Sequence, residues 1–476
     1  MVLLAAAYDI AVTTKQPLNA LILFFVAVIM VIAGTYLLFI AGSVVLCKIL
    51  QRKKSYYYQA NHFVSVSSMT YRMKRNGAGL ASICILATMV LVMISGSACL
   101  YFGEEDGLRT RYPRELTSDV SLGQLEHLED DNIKMLRETA EQIIKNCEAG
   151  EPSNVLEYRY AHISGILNDG VLNVDLTVKD QFFLDAYDNL YQVYFVPLSD
   201  YHALTGEQEQ LSEGEVLLYT SRGTYSYDTL SIPGGADYHV VKTISDFPVH
   251  GNAAMDIVPA LFVIVPDMEE AVSPLLGLTY AGGNPLVSLH WYYGFDTGAD
   301  VEIQKELLKR FREQWDSYSI SGTGGVTVST TECREANRQS FYGTYGAIFY
   351  LGILLSIVFL FAAVLIIYYK QISEGYEDQS RFEIMQKVGM RKEDIRRSIN
   401  SQMLTVFFLP LAAAVMHLAF AFPMMQKLLA LFNMMNVKLF LVTTGITIFI
   451  FTVFYTLVYR ITSNAYYTIV SGTRED

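Results

Sequence analysis

The sequence predicts a membrane α-helical protein with an inserted extracellular α+β domain. Hydrophobic residues make up 52% of the 476 residues, a higher fraction than ordinary soluble proteins have. They are concentrated in long apolar runs on either side of a polar middle region. About 20 apolar residues in a helix cross a hydrocarbon core of roughly 30 Å. The runs therefore predict about four full transmembrane helices after a partial one, with scope for a further one.

Charge is segregated in the same way as hydrophobicity. Residues 102–340 hold 16 Lys and Arg against 39 Asp and Glu, whereas the rest of the chain holds 19 basic and 9 acidic residues. An acidic domain inserted into a basic membrane region argues against nucleic acid as a partner. It suits cationic ligands, although acidity also serves solubility alone.

The N-terminal region combines apolar and basic segments. Residues 1–16 hold an apolar run too short to span a bilayer, and no basic n-region of a signal peptide precedes it. We expect them to be the tail of a truncated membrane helix and an external turn, in a chain that is incomplete at its N-terminus. Residues 17–50 predict a transmembrane helix with its basic end inside. Residues 51–79 predict a cytoplasmic connector with an interfacial helix on the inner leaflet, which contains Met69, Arg72, Met73, Lys74 and Arg75.

The remaining segments alternate across the membrane, because each basic flank agrees with one orientation. In order they are a transmembrane helix at 80–101, the extracellular domain at 102–342, a transmembrane helix at 343–369, a cytoplasmic coupling loop at 370–402, transmembrane helices at 403–425 and 437–460, and a cytoplasmic tail at 461–476.

The inserted domain alternates helical and strand-like patterns. Helical periodicity covers Ser121–Cys147 and Val301–Trp315. Short apolar or alternating runs, mostly separated by polar turns, predict strands between these helices. The runs are Val155–Ile163, Val171–Val178, Gln192–Pro197, Val216–Thr220, Tyr238–Ile244, Ile257–Pro266 and Leu286–Tyr293. Helices flanking several strands indicate an α+β domain.

No motif in the sequence predicts catalysis, a metal or a bound cofactor. The Walker A pattern and the HExxH and CxxC metal patterns are absent from the sequence. Six of the eight histidines are dispersed through the inserted domain without metal-ligand spacing, so we expect structural or surface roles for them. His417 lies in an apolar run and is either functional or, as we favour, an interhelical hydrogen-bonding group. The sequence does not decide whether Cys147 and Cys333 form a disulfide. It also does not identify a ligand pocket.

The charged segment Glu374–Asn400 separates two apolar runs. Its Lys and Arg residues place it in the cytoplasm. Its apolar spacing predicts a helix, a stop at Gly389 and a second helix that begins with Glu393 and Asp394. Two interpretations remain for this amphipathic segment: a connector lying on the lipid headgroups, or a docking element for a cytoplasmic subunit.

The stretch RFEIMQKVGMRKEDIRRSI at residues 381–399 resembles the loop after the first helix of the FtsX-like permease domain. In that family, which includes MacB-like exporters and BceB-type permeases, this loop is next to the ATPase subunit. The resemblance therefore implies docking of an ATPase at Arg381, Phe382, Met385, Gln386, Val388, Gly389, Met390, Arg391 and Ile395.

Other parts of the chain resemble the same family. The order of one crossing, a large external domain and three crossings is similar to the FtsX-like/MacB-like arrangement. The stretch VYFVPLSDYHALTGEQEQLSEGEVLLYT at residues 193–220 looks like a strand, helix and return strand of that external domain. Residues 62–96 are similar to the segment that opens the second half of BceB-type permeases. That likeness implies a further half upstream.

The resemblance implies the permease subunit of an ABC transporter of the mechanotransmission type, in the bacterial plasma membrane. It implies no catalysis by this chain, with ATP-Mg bound and hydrolysed on a separate ATPase subunit. It further implies ligands such as antimicrobial peptides or their complexes with cell-wall lipids, and a membrane histidine kinase as a second partner. An alternative is a non-transporting FtsX-like regulator or receptor that controls a cell-wall hydrolase or a histidine kinase.

Overall fold

A computed structural model describes residues 1–14, 17–52, 60–174, 189–280, 283–387, 392–432 and 434–471. The chain forms two compact units: Met1–Gly103 with Thr344–Asp476, called the membrane unit below, and Glu104–Gly343, called the inserted unit. The helices are α1 (Val2–Thr13), α2 (Pro17–Leu37), α3 (Ser43–Arg52), α4 (Ala60–Phe102), α5 (Glu104–Arg111), α6 (Asp130–Asn146), α7 (Leu198–Thr205), α8 (Gly251–Met255), α9 (Met268–Val272), α10 (Val301–Ser321), α11 (Arg334–Lys387), α12 (Lys392–Ala430) and α13 (Val437–Ser471). The strands are β1 (Leu116–Leu122), β2 (Ser153–Asn168), β3 (Val171–Asn173), β4 (Leu190–Pro197), β5 (Glu215–Thr220), β6 (Thr229–Ser231), β7 (Asp237–Thr243), β8 (Ala260–Val265), β9 (Ser288–Asp296) and β10 (Val326–Cys333).

Within the described residues, five helical segments are long and apolar enough to cross a membrane. Each overlaps a segment for which the sequence predicts a transmembrane helix, so the chain has the helices of a multi-pass membrane protein. The segments are Asn19–Gly42, Gly77–Phe102, Arg334–Ser380, Phe407–Ala430 and Val437–Val470.

Helix α4 continues through the boundary that the sequence predicts near residue 79. Residues 60–79 form one helix with the following apolar run, so the helix predicted in this segment does not end before residue 80. Gly77 lies against the π-helical turn Leu38–Gly42, which joins α2 to α3. A Cβ added at Gly77 would be 2.7 Å from the carbonyl oxygen of Phe39. The glycine thus permits a close contact between α4 and this turn.

The helices on either side of the predicted coupling loop are longer than their apolar runs. Helix α11 has 54 residues and α12 has 39. The region predicted as a loop at 370–402 is therefore helical on both sides of residues 388–391, which lie outside the described residues. Polar residues extend these helices because a helix satisfies its own backbone hydrogen bonds outside as well as inside lipid.

The inserted unit is built on a ten-stranded sheet. Its order is β10-β1-β9-β2-β3-β6-β7-β5-β8-β4, and a further pairing of β2 with β4 closes the seven strands from β2 to β4 into a ring. Strands β3 and β6 meet through the single pair Val171 and Ser231. The unit therefore combines a small closed ring with a three-stranded extension, β9, β1 and β10.

The helix predicted from Ser121 is wrong at its start. Ser121 and Leu122 end β1, which pairs antiparallel with both β9 and β10, and α6 begins only at Asp130. Strands β1, β6 and β10 escaped prediction because Ser, Thr and Asp interrupt their apolar residues. In β1 and β10 the polar side chains pair inside the sheet: the hydroxyls of Ser118 and Thr331 are 3.0 Å apart and buried.

The two faces of this sheet have different cores. One face packs aliphatic residues and Trp291 with α6 and α10, including the fully buried Trp315. The other face carries an aromatic core that includes Tyr158, Tyr160 and Phe262. Alternation along β2 divides the residues, since Tyr158 and Tyr160 join the aromatic core and Ala161 and Ile163 the aliphatic one.

Candidate functional site

The C-terminal end of α11, which the sequence predicts to be cytoplasmic, carries a stripe of buried polar residues. Gln371, Glu374 and Asp378 are spaced three and four residues apart, share one helix face and are all buried. The hydroxyl of Tyr466, from α13, donates a 2.7 Å hydrogen bond to the Asp378 carboxylate. A Cβ added at Gly375 would be 3.4 Å from the side chains of Tyr466 and Ile469. Asp378 therefore joins this end of α11 to the last turns of α13, close to Gly375.

The opposite face of the same helix end is exposed. Tyr376 is 65% exposed and Ile384 is 60% exposed. Glu383 and Lys387 are exposed beside them. Large apolar side chains interspersed with charges on an exposed helix face suit a headgroup surface or a protein partner. We call Tyr376, Glu383, Ile384 and Lys387 the exposed α11 face.

The predicted docking residues lie around the break between α11 and α12. Arg381, Phe382, Met385 and Gln386 belong to the last turns of α11, and Ile395 belongs to the first turn of α12. The structure describes their backbone positions and not their side chains. The remaining predicted docking residues, Val388, Gly389, Met390 and Arg391, lie outside the described residues.

The residues predicted for an inner-leaflet helix are all in α4. Their backbone forms the helix that continues into the apolar segment Gly77–Phe102. Their side chains are outside what the structure describes. These residues are Met69, Arg72, Met73, Lys74 and Arg75.

His417 forms the interhelical hydrogen bonds that the sequence favoured over a functional role. Its Nδ1 is 2.5 Å from the hydroxyl of Tyr8, and its Nε2 is 3.0 Å from the hydroxyl of Thr35. Because the Thr35 hydroxyl donates its proton to the carbonyl of Val31, it accepts a proton from Nε2. Tyr8 then donates to an unprotonated Nδ1, so a neutral imidazole joins α1, α2 and α12.

A buried histidine cluster in the inserted unit was missed by the sequence analysis. The His290 ring donates from Nδ1 to Asp119 over 2.9 Å, and the Tyr160 hydroxyl donates to the other Asp119 oxygen over 2.7 Å. The Tyr160 ring lies between two imidazoles, parallel to His290 with centroids 4.7 Å apart and stacked on His250 at 5.0 Å. Tyr158 completes the cluster by donating to His250 Nδ1 over 2.6 Å.

Strand register explains how residues so far apart in sequence meet. Tyr160 is opposite His290 in the β2–β9 pairing, and cross-strand partners lie on the same face of a sheet. Ser121 is opposite His290 in the β1–β9 pairing, which brings Asp119, two residues earlier, to the same side. His250 precedes α8, and only this long-range register could have revealed the group.

Burial and hydrogen bonding set the charges of this cluster. Burial alone would raise the pKa of Asp119, but the interactions with His290 and Tyr160 hold it below its ordinary value. Burial lowers the pKa of His250 to about 4, which keeps that ring neutral at physiological pH. The cluster is thus a paired structural network rather than a proton-transfer site with an open substrate position.

The described residues form neither a disulfide nor a metal site. Cys147 and Cys333 are both free thiols, so the disulfide left open by the sequence is not formed in this structure. Among the described residues no three His, Cys, Asp or Glu side chains come together as a metal site.

The helices and the inserted sheet define a multi-pass membrane protein with a separate folded insertion. Residues 353–469, from the middle of α11 almost to the end of α13, match the family described as FtsX-like permease C-terminal. The chain is 22% identical over 472 residues to the uncharacterized ABC transporter permease YvcS of Bacillus subtilis, which covers 95% of this chain. It thus carries an FtsX-like permease region, and the predicted resemblance to FtsX-like ABC transporter permeases is confirmed.

Two further relatives have similar names and similar coverage. The chain is 20% identical over 415 residues to the ABC transporter permease protein YxdM of Bacillus subtilis, which covers 83% of this chain. It is 19% identical over 409 residues to the bacitracin export permease protein BceB of the same organism, which covers 82% of this chain. The chain spans 65% of the length of YvcS, 57% of YxdM and 55% of BceB.

Proposed function

We propose that this chain is the membrane subunit of an ABC transporter of the FtsX-like mechanotransmission type. The observation that carries the proposal is the helical end of α11, which falls within the matched region 353–469 and has one buried polar face and one exposed amphipathic face. The docking site for a separate ATPase is the exposed α11 face together with the predicted residues around Gly389. ATP and Mg²⁺ are bound on that ATPase, and this chain is not an enzyme.

The buried stripe supplies a route for mechanical force. An ATPase that moves the end of α11 also moves α13, because Asp378 is hydrogen bonded to Tyr466 and the two helices come close together at Gly375. Packed helices respond to such displacement by shifting between discrete arrangements. The proposed cycle therefore uses ATP-driven closure of the ATPase to switch the helices of the membrane unit between two states.

The proposed orientation follows from the charge distribution. The basic segments near residues 48–75 and 370–397 lie in the cytoplasm, and the acidic inserted unit is extracellular. The membrane is the bacterial plasma membrane. The proposed ligands are antimicrobial peptides or complexes of such peptides with cell-wall lipids, because the relative BceB is named a bacitracin export permease. A membrane histidine kinase is proposed as a second partner.

Co-purification of the full chain with the ATPase encoded beside its gene tests the docking site. Phe382→Asp, Val388→Asp and Ile384→Asp each place a charge at the proposed interface, and each is expected to abolish co-purification. Ile320→Asp is the matched control, because Ile320 is 88% exposed at the end of α10, in the inserted unit.

Wild-type binding that persists in all three interface variants would refute docking at this segment. Capture of a cell-wall hydrolase instead of an ATPase would replace the transporter proposal by the regulator alternative. The helical circular dichroism signal verifies that each interface variant is folded, and tryptophan fluorescence does so for Ile320→Asp in the inserted unit.

A further inference from the structure

An acidic cavity lies at one edge of the inserted sheet. Strands β5 and β7 run parallel and β8 runs antiparallel to β5, so the starts of β5 and β7 meet the end of β8. The cavity at this meeting point has a volume of about 330 Å³, and the residues described around it include no Lys or Arg. Its acidic residues are Glu213 before β5, Asp237 at the start of β7, and Asp267 and Glu270 after β8.

Tyr238 gives this cavity a second and independent feature. Its side chain lines the cavity and is only 6% exposed. Its hydroxyl is buried without a hydrogen-bond partner among the described residues. A buried polar group without a partner destabilises the fold, so such groups are rare unless a ligand or water completes them.

The carboxylates retain capacity for a donor. One oxygen of Asp267 accepts the backbone N–H groups of Glu269 and Glu270 at 2.7 and 3.3 Å, which leaves its second oxygen for other partners. Burial and the neighbouring Glu213 carboxylate raise the pKa of Glu270. The negative charges of Glu213 and Glu270 repel each other, and a cation between the two carboxylates would relieve this repulsion.

The chemistry favours an organic cation over a metal ion. A calcium ion needs several oxygens converging at about 2.3–2.6 Å, and the described carboxylates form no such group. An alkylammonium ion instead donates three hydrogen bonds to separated acceptors, and its charge is attracted to an aromatic ring face. The hydroxyl oxygen of Tyr238 and the surrounding carboxylates are acceptors of the required kind.

We propose that the acidic pocket formed by Glu213, Asp237, Tyr238, Asp267 and Glu270 binds the protonated side-chain amine of a basic peptide. This inference deepens the proposed function and depends on it for the ligand class, a peptide. The pocket selects peptides that carry a lysine-like amine, and acetylation of that amine removes both its charge and two of its donors.

The test measures binding of fluorescently labelled tetralysine to the purified full chain by fluorescence anisotropy. The same peptide with acetylated side chains is the neutral control and is expected not to bind. Glu270→Gln is expected to weaken binding about tenfold and Tyr238→Phe about threefold, from the loss of a charged partner and of one hydrogen-bond acceptor. Glu302→Gln, at an exposed acid on α10, removes the same charge elsewhere and is expected to leave affinity unchanged.

The Tyr238→Phe result separates a site from a diffuse field, because this variant keeps the net charge. Equal weakening by Glu302→Gln and Glu270→Gln, with no effect of Tyr238→Phe, would show that only the overall negative charge attracts the peptide. Absence of saturable binding to the wild type would also overturn the pocket. The peptide-binding assay contains no ATPase. A negative result for peptide binding and a negative result for ATPase co-purification can therefore be told apart.

Discussion

The hydroxyl of Tyr466 donates to the buried carboxylate of Asp378, and this 2.7 Å bond joins the end of α13 to the end of α11. The bond lies within the region that matches the FtsX-like family, on the face of α11 opposite the proposed ATPase docking face. In the proposed mechanism it transmits displacement between the two helices.

Tyr466→Phe removes this hydrogen bond and keeps the ring that packs against Gly375. A hydrogen bond to a charged group contributes about 2 kcal/mol, so we expect a lower free energy of unfolding of the membrane unit. Thermal unfolding of the full chain, followed by its helical circular dichroism signal, measures the loss. Tyr369→Phe makes the same change at a ring of α11 that is 67% exposed and lies outside the exposed α11 face, and it should leave the free energy of unfolding unchanged. ATPase co-purification should survive in both variants, because neither hydroxyl is a docking group; its loss in Tyr466→Phe would instead assign Tyr466 to the interface.

We expect helix packing at Gly77 to be sensitive to the single methyl group that alanine would add. Its added Cβ would approach the backbone of Phe39 and Ile40 within 2.8 Å, and backbone atoms cannot move aside as a flexible side chain can. Gly77→Ala should therefore lower the thermal unfolding temperature of the full chain. Gly445→Ala in α13 is the control, since nothing lies within 4 Å of its added Cβ. There the better helix propensity of Ala should stabilise by up to about 1 kcal/mol. Stabilisation by both substitutions would contradict the close contact.

Local patterns in the sequence predicted much of this architecture, and contacts distant in sequence account for what they missed. Apolar runs indicate α2, α12 and α13 because a membrane requires continuous hydrophobicity. The same logic separated residues 51–79 from the transmembrane helix at 80–101, although α4 runs through this boundary. The cluster of Asp119, Tyr160 and His290 depends on the register of three strands, and no local pattern encodes that register. The acidic pocket likewise arises only when three strand ends meet.

We expect substitution of Arg159 to lower the stability of the inserted unit substantially. Its side chain is 15% exposed, and its guanidinium binds both oxygens of Asp200, at 3.0 and 2.6 Å, and also Asp130 at 2.7 Å. Arg159→Met would leave the 13%-exposed Asp200 carboxylate without this partner, which should cost about 2–3 kcal/mol after allowance for its partial exposure to water. Lys305→Met breaks an exposed pair with Glu302 and should change stability by less than about 0.5 kcal/mol.

Denaturant unfolding followed by tryptophan fluorescence measures both of these variants. The two tryptophans of the chain, Trp291 and Trp315, lie in the inserted unit, so the signal reports on that unit alone. Equal and small losses in the two variants would mean that the Arg159 network contributes no more than a surface pair.

The buried His250 predicts a stability that falls as the solution becomes mildly acidic. The pKa of His250 is about 4 in the folded chain and near its ordinary value of 6.5 in the unfolded chain. Between these pH values His250 binds a proton in the unfolded chain but not in the folded chain. Stability is therefore lost as pH falls from about 6.5 towards 4. The loss attributable to this residue should reach about 2 kcal/mol at roughly pH 5. His250→Asn keeps an acceptor for Tyr158 without a titrating ring, and should flatten the pH dependence of unfolding measured by tryptophan fluorescence. His239→Asn removes an exposed histidine and should retain the wild-type profile; parallel profiles for wild type and His250→Asn would show that the buried ring does not control acid stability.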